Sequence, residues 1–406
     1  MSEHPPVSEL VEAEGHLIDS QLLGSVFDAV VKHRGRFEVV AFDIGRTNEE
    51  QSRIKMRVTA PGSSALQELL EELLTLGCRV SAGRDVTVRP ADRDGCAPED
   101  FYSTSNHRTQ VLHGGRWVDV DRQRMDGAIV IERGRATCKK LRDLRVGDPV
   151  VCGIDGVRVI PEFRERDRHG FAFMTNDVSS ERRVESSVAR ISEMVREVKA
   201  SGGRVGFVVG PVAVHTGGGD YLCDLIRRGY MDVLLSGNAL AVHDVEAALY
   251  GTSLGVALET GVPVEGGHRH HMHAINAIRR AGGLRAAVQS GLLRSGVMYE
   301  CIKHQVPYVL AGSIRDDGPL PETVMDLIDA QDRYAAALAE VKLVLILSSM
   351  LHGIGVGNML PSWVRVVCVD INPAVVTKLM DRGSAQTIGL VTDVGLFLHQ
   401  LAMKLS

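Results

Sequence analysis

Short, nearly continuous apolar runs recur through the second half of the chain. They lie at Val205–Val209, Val233–Leu235, Val306–Leu310, Leu343–Leu347 and Val366–Val369. Such runs are typical of parallel strands that are buried on both faces. Segments with helical spacing of apolar residues separate them, at 220–229, 239–250, 271–282, 322–340 and 373–382. This alternation predicts a doubly wound α/β sheet, in which ligands bind beyond the carboxyl ends of the strands.

The first half of the chain has a different pattern. Its start predicts a compact α+β unit built from strand Val7–Ile18, helix Gln21–His33, buried strand Phe37–Ile44, alternating strand Ser52–Ala60 and amphipathic helix Ser63–Leu76. Short β-rich runs follow at Arg116–Val120, Gly127–Glu132, Pro149–Gly153 and Val157–Ile160, before a helix at Glu181–Lys199. We therefore expect three domains: an α+β unit at 1–85, a β-rich connector on the substrate side at 86–175, and the doubly wound domain at 176–406.

Composition narrows the class of protein. The 406 residues are 44% hydrophobic and 24% charged, with a formal net charge of −5 and no basic block, so we expect no nucleic-acid partner. The seven cysteines form no C-x-x-C pair, which favours reduced thiols over a disulfide frame or a zinc site. No apolar run reaches the roughly 18 residues that span a bilayer. The N-terminus also lacks a signal-peptide pattern, and we expect a soluble cytoplasmic protein.

The segment 341–373 carries the strongest indication of a ligand. An apolar strand runs into Ser348, Ser349 and His352, glycines follow in a G-x-G-x-G spacing, and a second strand ends at Asp370. Glycines after a strand let the backbone approach a pyrophosphate, and an acid after the next strand can bind ribose hydroxyls. Such an acid would repel a 2′-phosphate, which favours NAD over NADP. The alternative is a glycine-rich turn between two core strands.

Three more strand–helix junctions have polar or glycine residues, and a fourth follows a late strand. They are Asn238–Ala239 in LLSGNALAVHDVE, His215 with three glycines in GPVAVHTGGGDY, Asp316–Asp317 in GSIRDDGPLPE, and Asp393 in TDVGLF. Each has a structural alternative: Asn238 or Asp393 as a helix cap, the glycines as a tight turn, and the aspartates as a solvated turn. Several such junctions in one sheet favour a ligand cleft.

A histidine-rich run and a hydroxyl-rich run complete the candidates. EGGHRHHMHAIN contains His268, His270, His271 and His273 but lacks the H-E-x-x-H pattern, so we expect an acid–base or substrate role and no metal site. FYSTSNH, at 101–107, is rich in hydroxyls and amides. It is either a source of substrate contacts from the first half of the chain or an exposed polar loop.

Together these segments resemble a known family. FYSTSNH, GPVAVHTGGG, LLSGNALAVHD, GGHRHH, GSIRDDGPLP, SSMLHG, VDINP and TDVG are similar to motifs of the archaeal-type ornithine cyclodeaminases. The same module forms the C-terminal part of cyanobacterial arginine dihydrolase/ornithine cyclodeaminases. It is also known as the conserved region named after lysine–oxoglutarate reductase and saccharopine dehydrogenase. The resemblance covers nearly the whole chain and implies a Rossmann-like, deoxyhypusine-synthase-like NAD-binding domain.

The resemblance also implies the reaction and its residues. L-ornithine would become L-proline and ammonia, with NAD reduced and regenerated within one cycle. The implied NAD contacts are Asn238, Ala239, Asp316, Ser349, Met350, Leu351, His352, Asp370, Asn372, Asp393 and Val394. Candidate acid–base residues are His268, His271, Glu265 and Asp317, and candidate substrate contacts are Tyr102, Asn106 and His215.

Other functions stay open at this stage. An NAD-dependent amino-acid or opine dehydrogenase would keep the cofactor and release NADH, and a related cyclodeaminase would act on another diamino acid. A deoxyhypusine or homospermidine synthase would need an imine-forming lysine, for which Lys303 is the one lysine in 204–341. A non-catalytic amino-acid sensor would bind its ligands without turnover. We expect a small ornithine-like substrate, no membrane or nucleic-acid partner, and a homo-oligomer.

Overall fold

The computed structural model describes residues 6–15, 17, 22–45, 50–80, 84–161, 180–253, 256–257, 270–316, 318–382 and 387–406. The chain divides into two compact units. Unit 1 is Met1–Phe173 with Leu360–Trp363, and unit 2 is Met174–Met359 with Val364–Ser406. Within the described ranges, no helix combines the length and apolar character that crossing a bilayer requires.

Unit 1 begins with a four-stranded antiparallel sheet and two helices. The elements are β1 (Val7–Gly15), α1 (Leu22–Lys32), β2 (Arg36–Asp43), β3 (Ser52–Ala60), α2 (Ser63–Thr75) and β4 (Arg79–Val80). The strand order is β2-β3-β1-β4. Burial alternates along β3, as the sequence predicted, because one face of the sheet packs on apolar side chains of both helices.

The prediction that Phe37–Ile44 is a buried strand is wrong in its burial. The segment forms β2, but nearly all of its side chains are exposed. The strand lies at the edge of the sheet and pairs with β3 alone. The Phe37 ring stacks on Phe27, with centroids 4.3 Å apart. The apolar run therefore predicted the strand correctly but not its exposure to solvent. Runs of β-branched and aromatic residues occur in edge strands as well as in buried ones.

A seven-stranded sheet forms the rest of unit 1. Its elements are β5 (Thr87–Pro90), β6 (Arg108–His113), β7 (Arg116–Asp121), β8 (Ala128–Glu132), β9 (Arg135–Lys139), a 3-10 turn (Leu141–Asp143), β10 (Pro149–Cys152) and β11 (Val157–Ile160). The order is β11-β6-β7-β9-β8-β10-β5. The pair β7–β9 is parallel and the other pairs are antiparallel. The four predicted β-rich runs are confirmed as strands.

Unit 2 is a three-layer α/β domain. Its strands are β12 (Arg204–Val209), β13 (Val233–Gly237), β14 (Thr252–Ser253), β15 (Val256–Ala257), β16 (Tyr308–Ala311), β17 (Thr323–Val324), β18 (Val341–Leu347), β19 (Arg365–Asp370) and β20 (Thr387–Val391). Its helices are α3 (Ser180–Ala200), α4 (Val212–His215), α5 (Gly219–Arg227), α6 (Asn238–Tyr250), α7 (His270–Ala281), α8 (Leu284–Gln289), α9 (Val297–Lys303), α10 (Leu327–Ala337), α11 (Met350–Met359), α12 (Pro373–Arg382) and α13 (Val394–Lys404).

The main sheet of unit 2 is parallel throughout and confirms the predicted doubly wound α/β fold. Its order is β17-β16-β13-β12-β18-β19-β20. The chain winds outward from β12 in one direction and from β18 in the other, so the topological switch point lies between these two strands. Ligands of such sheets bind at the carboxyl ends of the strands beside the switch point.

One predicted helix is too long at both ends. The segment 322–340 contains the short strand β17 and then α10, which begins at Leu327. Asp326 starts this helix, because its side chain accepts hydrogen bonds from the backbone N–H groups of Ile328 and Asp329. The sequence pattern merged the two elements since both bury apolar side chains.

Candidate functional site: the carboxyl edge of the unit 2 sheet

The backbone is tightest at the switch point itself. After β18 the chain turns at Ser348, which has a φ of 48°, and then enters α11. Gly210, which follows β12, packs directly against this turn, and a Cβ on it would overlap the Ser348 carbonyl oxygen. The Gly210 N–H donates to the Leu347 carbonyl at 2.9 Å. Only a glycine at position 210 therefore lets the two central strands end this close together.

His352 lies in this turn region with its imidazole largely buried. Its Nδ1 and the Ser349 hydroxyl are 3.0 Å apart. Its ring also lies 3.0 Å from the position that a Cβ on Gly237 would occupy, at the end of β13. Burial lowers the pKa of His352, and the nearby Asp316 carboxylate acts in the opposite direction. Lowering the pKa keeps the imidazole neutral at neutral pH.

The glycine-rich turn expected after β18 is absent from this junction. Gly353, Gly355 and Gly357 lie inside α11, so they do not form a phosphate-binding loop. A Cβ on Gly353 would come within 2.7 Å of the Ile346 side chain, whereas Gly355 and Gly357 have open space around them. Gly353 therefore serves helix–sheet packing. The turn at the end of β18 is formed by Ser348 and Ser349, just before the helix.

Asn238 connects the β13 junction to the loop that follows β16. Its amide oxygen accepts hydrogen bonds from the Leu320 N–H and the Thr323 hydroxyl, each at 3.0 Å. Its amide nitrogen donates to Asp316 at 3.3 Å, and Asp316 also accepts from the Ser313 N–H at 2.7 Å. Gly237 occupies the N-cap position of α6, so the alternative that Asn238 caps the helix is wrong.

The outer junctions carry aspartates at their ends. Asp370 ends β19 and accepts a hydrogen bond from the Asn372 N–H at 2.8 Å, and Asn372 in turn accepts from Ala374 at 3.0 Å. Asp393 is the N-cap of α13 and accepts from the Leu396 N–H at 2.9 Å. The alternative that Asp393 caps a helix is thus correct. A contact between this residue and a cofactor stays a prediction.

Exposed apolar side chains gather at the same edge. Those in the loops and first helical turns that follow the main strands include Ile314, Met350, Leu351, Ile371 and Leu396, and Leu351 is 72% exposed. The first N–H groups of a helix have no intrahelical acceptor and favour an anion, and α11 presents such groups at the switch point. Apolar surface, helix N–H groups and the Asp370 carboxylate together match the flat rings, pyrophosphate and ribose of a dinucleotide.

A second group of polar residues surrounds a fully buried carboxylate. Glu246, on α6, is 0% exposed. Its Oε2 lies 3.6 Å from Nδ1 of His243, one turn earlier on α6, and 3.7 Å from Nδ1 of His271 on α7. The His243 ring also contacts His215 of α4, with centroids 4.5 Å apart. We call His215, His243, Glu246 and His271 the histidine–glutamate cluster.

Two residues of β14 hold this cluster in place. The Thr252 hydroxyl donates to Glu246 Oε1 at 2.9 Å and lies 2.9 Å from His270 Nδ1. Because that hydroxyl has a single hydrogen, the imidazole N–H of His270 must be the donor to it. Ser253 fixes the His215 ring through a 2.6 Å contact between its hydroxyl and Nδ1. Burial lowers the pKa of His215, with a smaller contribution in the same direction from His243.

The cluster lies close to the carboxyl edge of the main sheet, which we call the cofactor edge. Asn238 and His243 are on the same helix five residues apart, which corresponds to about 8 Å along the helix axis. His215 follows β12 and Gly210, so it too extends from the carboxyl end of a central strand. Unit 2 therefore places the carboxyl edge of its main sheet and the histidine–glutamate cluster beside one another.

The remaining predicted residues are placed as follows. Ala239 is half-buried in the first turn of α6, Met350 is exposed, and Val394 is buried. His268, Glu265 and Asp317 lie outside the described residues. Tyr102 and Asn106 belong to unit 1, where Tyr102 is buried and burial raises its pKa. The Asn106 carbonyl accepts a hydrogen bond from the Ser362 N–H at 2.8 Å.

His243, Glu246 and Thr252 were not predicted from the sequence. The spacing of His243 and Glu246, three residues apart on a helix, puts both on one face and was a usable signal. This signal was overlooked because α6 is largely apolar and has buried residues on most of its faces. Thr252 gives no local signal, since its role comes from the approach of β14 to α6.

Comparison with known proteins accounts for nearly the whole chain. Residues 189–401 match the family model for the arginine dihydrolase ArgZ-like C-terminal Rossmann fold. Residues 108–188 match the first region of the same C-terminal module, and residues 8–107 match the conserved region of the LOR/SDH bifunctional enzyme.

Individual relatives agree. The chain is 49% identical to an ornithine cyclodeaminase of Methanocaldococcus jannaschii, over 97% of this chain and 95% of that protein. It is also 49% identical to the bifunctional arginine dihydrolase/ornithine cyclodeaminase AgrE of Nostoc, over 98% of this chain, but it spans only 58% of the length of AgrE.

Solved structures give the same result. The apo structure of cyanobacterial ArgZ has a TM-score of 0.87 and 44% identity, covering 99% of this chain and 58% of ArgZ. A ternary complex of AgrE with ornithine and NAD+ has a TM-score of 0.54 and 48% identity, covering 100% of this chain and 58% of AgrE. The chain therefore belongs to the ArgZ-like C-terminal, LOR/SDH-region family, whose archaeal members of similar length are named ornithine cyclodeaminase.

Proposed function

We propose that this protein is an NAD-dependent ornithine cyclodeaminase that converts L-ornithine to L-proline and ammonia. The observation that carries the proposal is the position of the histidine–glutamate cluster along α6 from the dinucleotide-binding edge of unit 2. Archaeal relatives of nearly the same length carry this name, and the related AgrE was crystallised with ornithine and NAD+.

We propose that different residues of the cofactor edge hold the pyrophosphate, the adenosine ribose and the nicotinamide half of NAD. The N–H groups at the start of α11, at Met350 and Leu351, would hold the pyrophosphate, and the half-buried carboxylate of Asp370 would bind the adenosine ribose hydroxyls. The Asn238–Asp316 pair and His352, whose ring lies close to Gly237 at the end of β13, would hold the nicotinamide half. Ala239, Asn372, Asp393 and Val394 complete the proposed contacts.

Bound NAD would supply the acceptor for the hydride of the ornithine α-carbon and, once reduced, the donor that reduces the cyclic imine to proline. The work of the protein is to hold the diamine, remove a proton and exclude water. The buried carboxylate of Glu246 is proposed to attract an ammonium group of a diamino acid, since opposite charges interact more strongly in a buried site than in water. The His215 ring contacts His243, and His271 Nδ1 lies 3.7 Å from Glu246 Oε2, so both imidazoles are candidates to accept the proton that the α-amine must lose.

Ring closure depends mainly on proximity. Once the α-carbon is an imine, the δ-amine attacks it within the same molecule and ammonia leaves, so positioning supplies much of the rate. The cluster is rigid enough to fold the substrate chain in this way, because Thr252 and Ser253 fix the Glu246 carboxylate and the His215 ring. Glu265, His268 and Asp317 remain candidate acid–base residues, and Tyr102 and Asn106 remain candidate substrate contacts.

Of the alternatives, the imine-forming lysine enzyme has the least support. Lys303, which it would need, is exposed on α9 with its ammonium over the Tyr299 ring. A dehydrogenase or a sensor would use the same cofactor edge as the proposed enzyme. The three are distinguished by the amounts of NADH and of product that form for each ornithine consumed.

The test is to incubate the purified protein with L-ornithine and an amount of NAD far below that of the substrate. The proposal predicts proline and ammonia in equal amounts over many turnovers, without accumulation of NADH. Release of NADH in proportion to product would replace it with a dehydrogenase. Tight NAD binding without product would replace it with a sensor or with an enzyme for another diamino acid, and lysine and shorter diamino acids would then be tried.

A further inference from the structure

Two imidazole nitrogens of the histidine–glutamate cluster lack hydrogen-bond partners among the described residues. They are Nδ1 of His243 and Nδ1 of His271, and both are buried. Both face Oε2 of Glu246, at 3.6 and 3.7 Å, which is too long for a hydrogen bond. Buried polar atoms are normally paired, so two unpaired nitrogens converging on one carboxylate oxygen require a cause.

A shared cation explains these separations. Two ligands that each lie about 2.05 Å from a tetrahedral zinc ion are roughly 3.3 Å apart. The nitrogen–oxygen distances in the cluster exceed this by a few tenths of an ångström, and all three candidate ligand atoms lie within 4.8 Å of one another. Small side-chain rotations therefore bring the three atoms into a common coordination sphere.

We propose that His243 Nδ1, His271 Nδ1 and Glu246 Oε2 bind one divalent transition-metal ion, with Zn²⁺ as the best match. Two imidazoles and one carboxylate are a typical ligand set for zinc, whereas Mg²⁺ and Ca²⁺ prefer oxygen ligands alone. Three protein ligands leave the fourth position for a water molecule or for a substrate nitrogen or oxygen.

The surroundings suit a bound cation. Thr252 donates to Glu246 Oε1 and so turns Oε2 toward the two histidines, as residues behind metal ligands commonly do. His243 is 6% exposed and Glu246 is 0% exposed, so bulk water competes little for either ligand. Two of the ligands come from one face of α6, and the third comes from the first turn of α7.

This proposal departs from the sequence-based expectation of no metal site. That expectation considered only the histidine run at 268–273, whereas the proposed site takes one ligand from the run and two from α6. The proposal that the cluster binds a metal ion depends only on the positions of the three ligand atoms. A role for that ion in turnover depends also on the proposed function.

The test measures metal content and metal binding directly on tag-free protein. Wild-type protein, stripped with a chelator and dialysed against Zn²⁺, is expected to retain about one equivalent per chain. Co²⁺ is expected to give the visible bands of a tetrahedral site. Glu246→Gln and His243→Ala should each lower the zinc affinity by at least about a hundredfold, while His273→Ala, which removes an exposed histidine of α7, should retain it. NAD binding by each variant confirms that it is folded.

Each result has a distinct meaning. Loss of zinc in the two cluster variants with retention in His273→Ala supports the site. Stoichiometric zinc in every variant would overturn it by placing the metal elsewhere. A wild-type protein without tight zinc that still converts ornithine would overturn the metal site and leave the proposed function intact. Zinc bound at the cluster without ornithine turnover would support the site and refute the proposed function.

Discussion

Two buried glutamates show how differently the two units use charge. Glu12, in the first sheet of unit 1, is 8% exposed and lies within 2.9, 3.1 and 3.4 Å of Arg53, Lys55 and Arg79. Glu246, in unit 2, is 0% exposed and faces two imidazole nitrogens beyond hydrogen-bond distance. Permanent cations from neighbouring strands compensate the first carboxylate. The second accepts a hydrogen bond from the Thr252 hydroxyl and faces imidazoles instead of permanent cations, and we propose that it binds a cation or an amine.

Burial of a charge therefore does not by itself identify a functional site. What separates the two glutamates is the kind of group that faces them: Arg and Lys side chains for Glu12, and a hydroxyl and imidazoles for Glu246.

Replacing Glu246 should affect turnover most. Glu246→Gln keeps the shape of the side chain and removes the charge that attracts the diamine, so we expect kcat to fall about a hundredfold or more, within the usual range for loss of an acid–base group. NAD affinity should change by less than about threefold, because the cofactor edge begins more than a turn away on α6. Steady-state rates with L-ornithine and NAD titrations measure the two effects. A variant with wild-type kcat would remove the cluster from the mechanism.

Replacing Asn238 should affect the cofactor more than the chemistry. Asn238→Ala removes three hydrogen bonds that hold the loop containing Asp316, Leu320 and Thr323. The bonds to Leu320 and Thr323 contribute about 1 kcal/mol each to holding this loop. Their loss should weaken NAD binding by about 2 kcal/mol, which is roughly thirtyfold. Asn276→Ala, which changes an exposed amide on α7, is the control and should bind NAD normally. Equal NAD affinities in the two variants would contradict the placement of the nicotinamide half.

Replacing Asp370 should have a smaller effect and change cofactor preference. Asp370→Ala removes one carboxylate at the end of β19, and we expect about a tenfold loss of NAD affinity, equivalent to about 1.4 kcal/mol. The preference for NAD over NADP should shrink, because the carboxylate no longer repels a 2′-phosphate. Parallel titrations with both cofactors measure the ratio. An unchanged ratio would show that Asp370 does not contact the adenosine ribose.

Replacing Glu12 should change stability and leave catalysis intact. Glu12→Gln leaves Arg53, Lys55 and Arg79 without their shared anion, and the free energy of unfolding should fall by about 1–3 kcal/mol. The kcat for ornithine should stay within about twofold of wild type. Denaturant unfolding and steady-state kinetics measure both. A large loss of kcat in a folded Glu12→Gln protein would erase the distinction between the two glutamates.

Replacements of the glycines of α11 should change stability alone, in opposite directions at the two positions. Gly355→Ala adds a Cβ into open space inside a helix and should raise the free energy of unfolding by about 0.5–1 kcal/mol, with NAD affinity unchanged. Gly353→Ala meets the Ile346 side chain and should lower it by about 1–3 kcal/mol. Thermal unfolding in the presence and absence of NAD separates stability from binding. Weaker NAD binding in Gly355→Ala would restore the phosphate-loop interpretation.

The sequence was most informative where local pattern decides structure. Continuous apolar runs such as Leu343–Leu347 predicted the central strands, and the junctions at Asn238, Ser349 and Asp370 fall at the carboxyl edge of the sheet because strand order in a doubly wound fold brings them there. The G-x-G-x-G spacing led to the wrong prediction of a glycine-rich turn. The same spacing occurs in loops and in helices, and only tertiary contacts distinguish the two.

The rest depends on contacts between distant segments. Glu246 and His271 are 25 residues apart in sequence and meet only because α6 packs on α7. The apolar residues around Glu246 predict a buried helix. They give no indication that a charged residue within that helix has a function. Burial of Phe37–Ile44 was also misjudged, because an edge strand and a central strand share one composition, and only the sheet order tells them apart.

The most direct test of the proposed reaction uses L-ornithine with deuterium at the α-carbon and nitrogen-15 in the α-amine. Internal recycling of NAD predicts proline that keeps the deuterium at its α-carbon, together with ammonia that contains the nitrogen-15. Deuterium lost to solvent or trapped in free NADH would contradict hydride return within one cycle. Nitrogen-15 retained in proline would show that the δ-amine leaves instead, and the account of ring closure given above would be wrong.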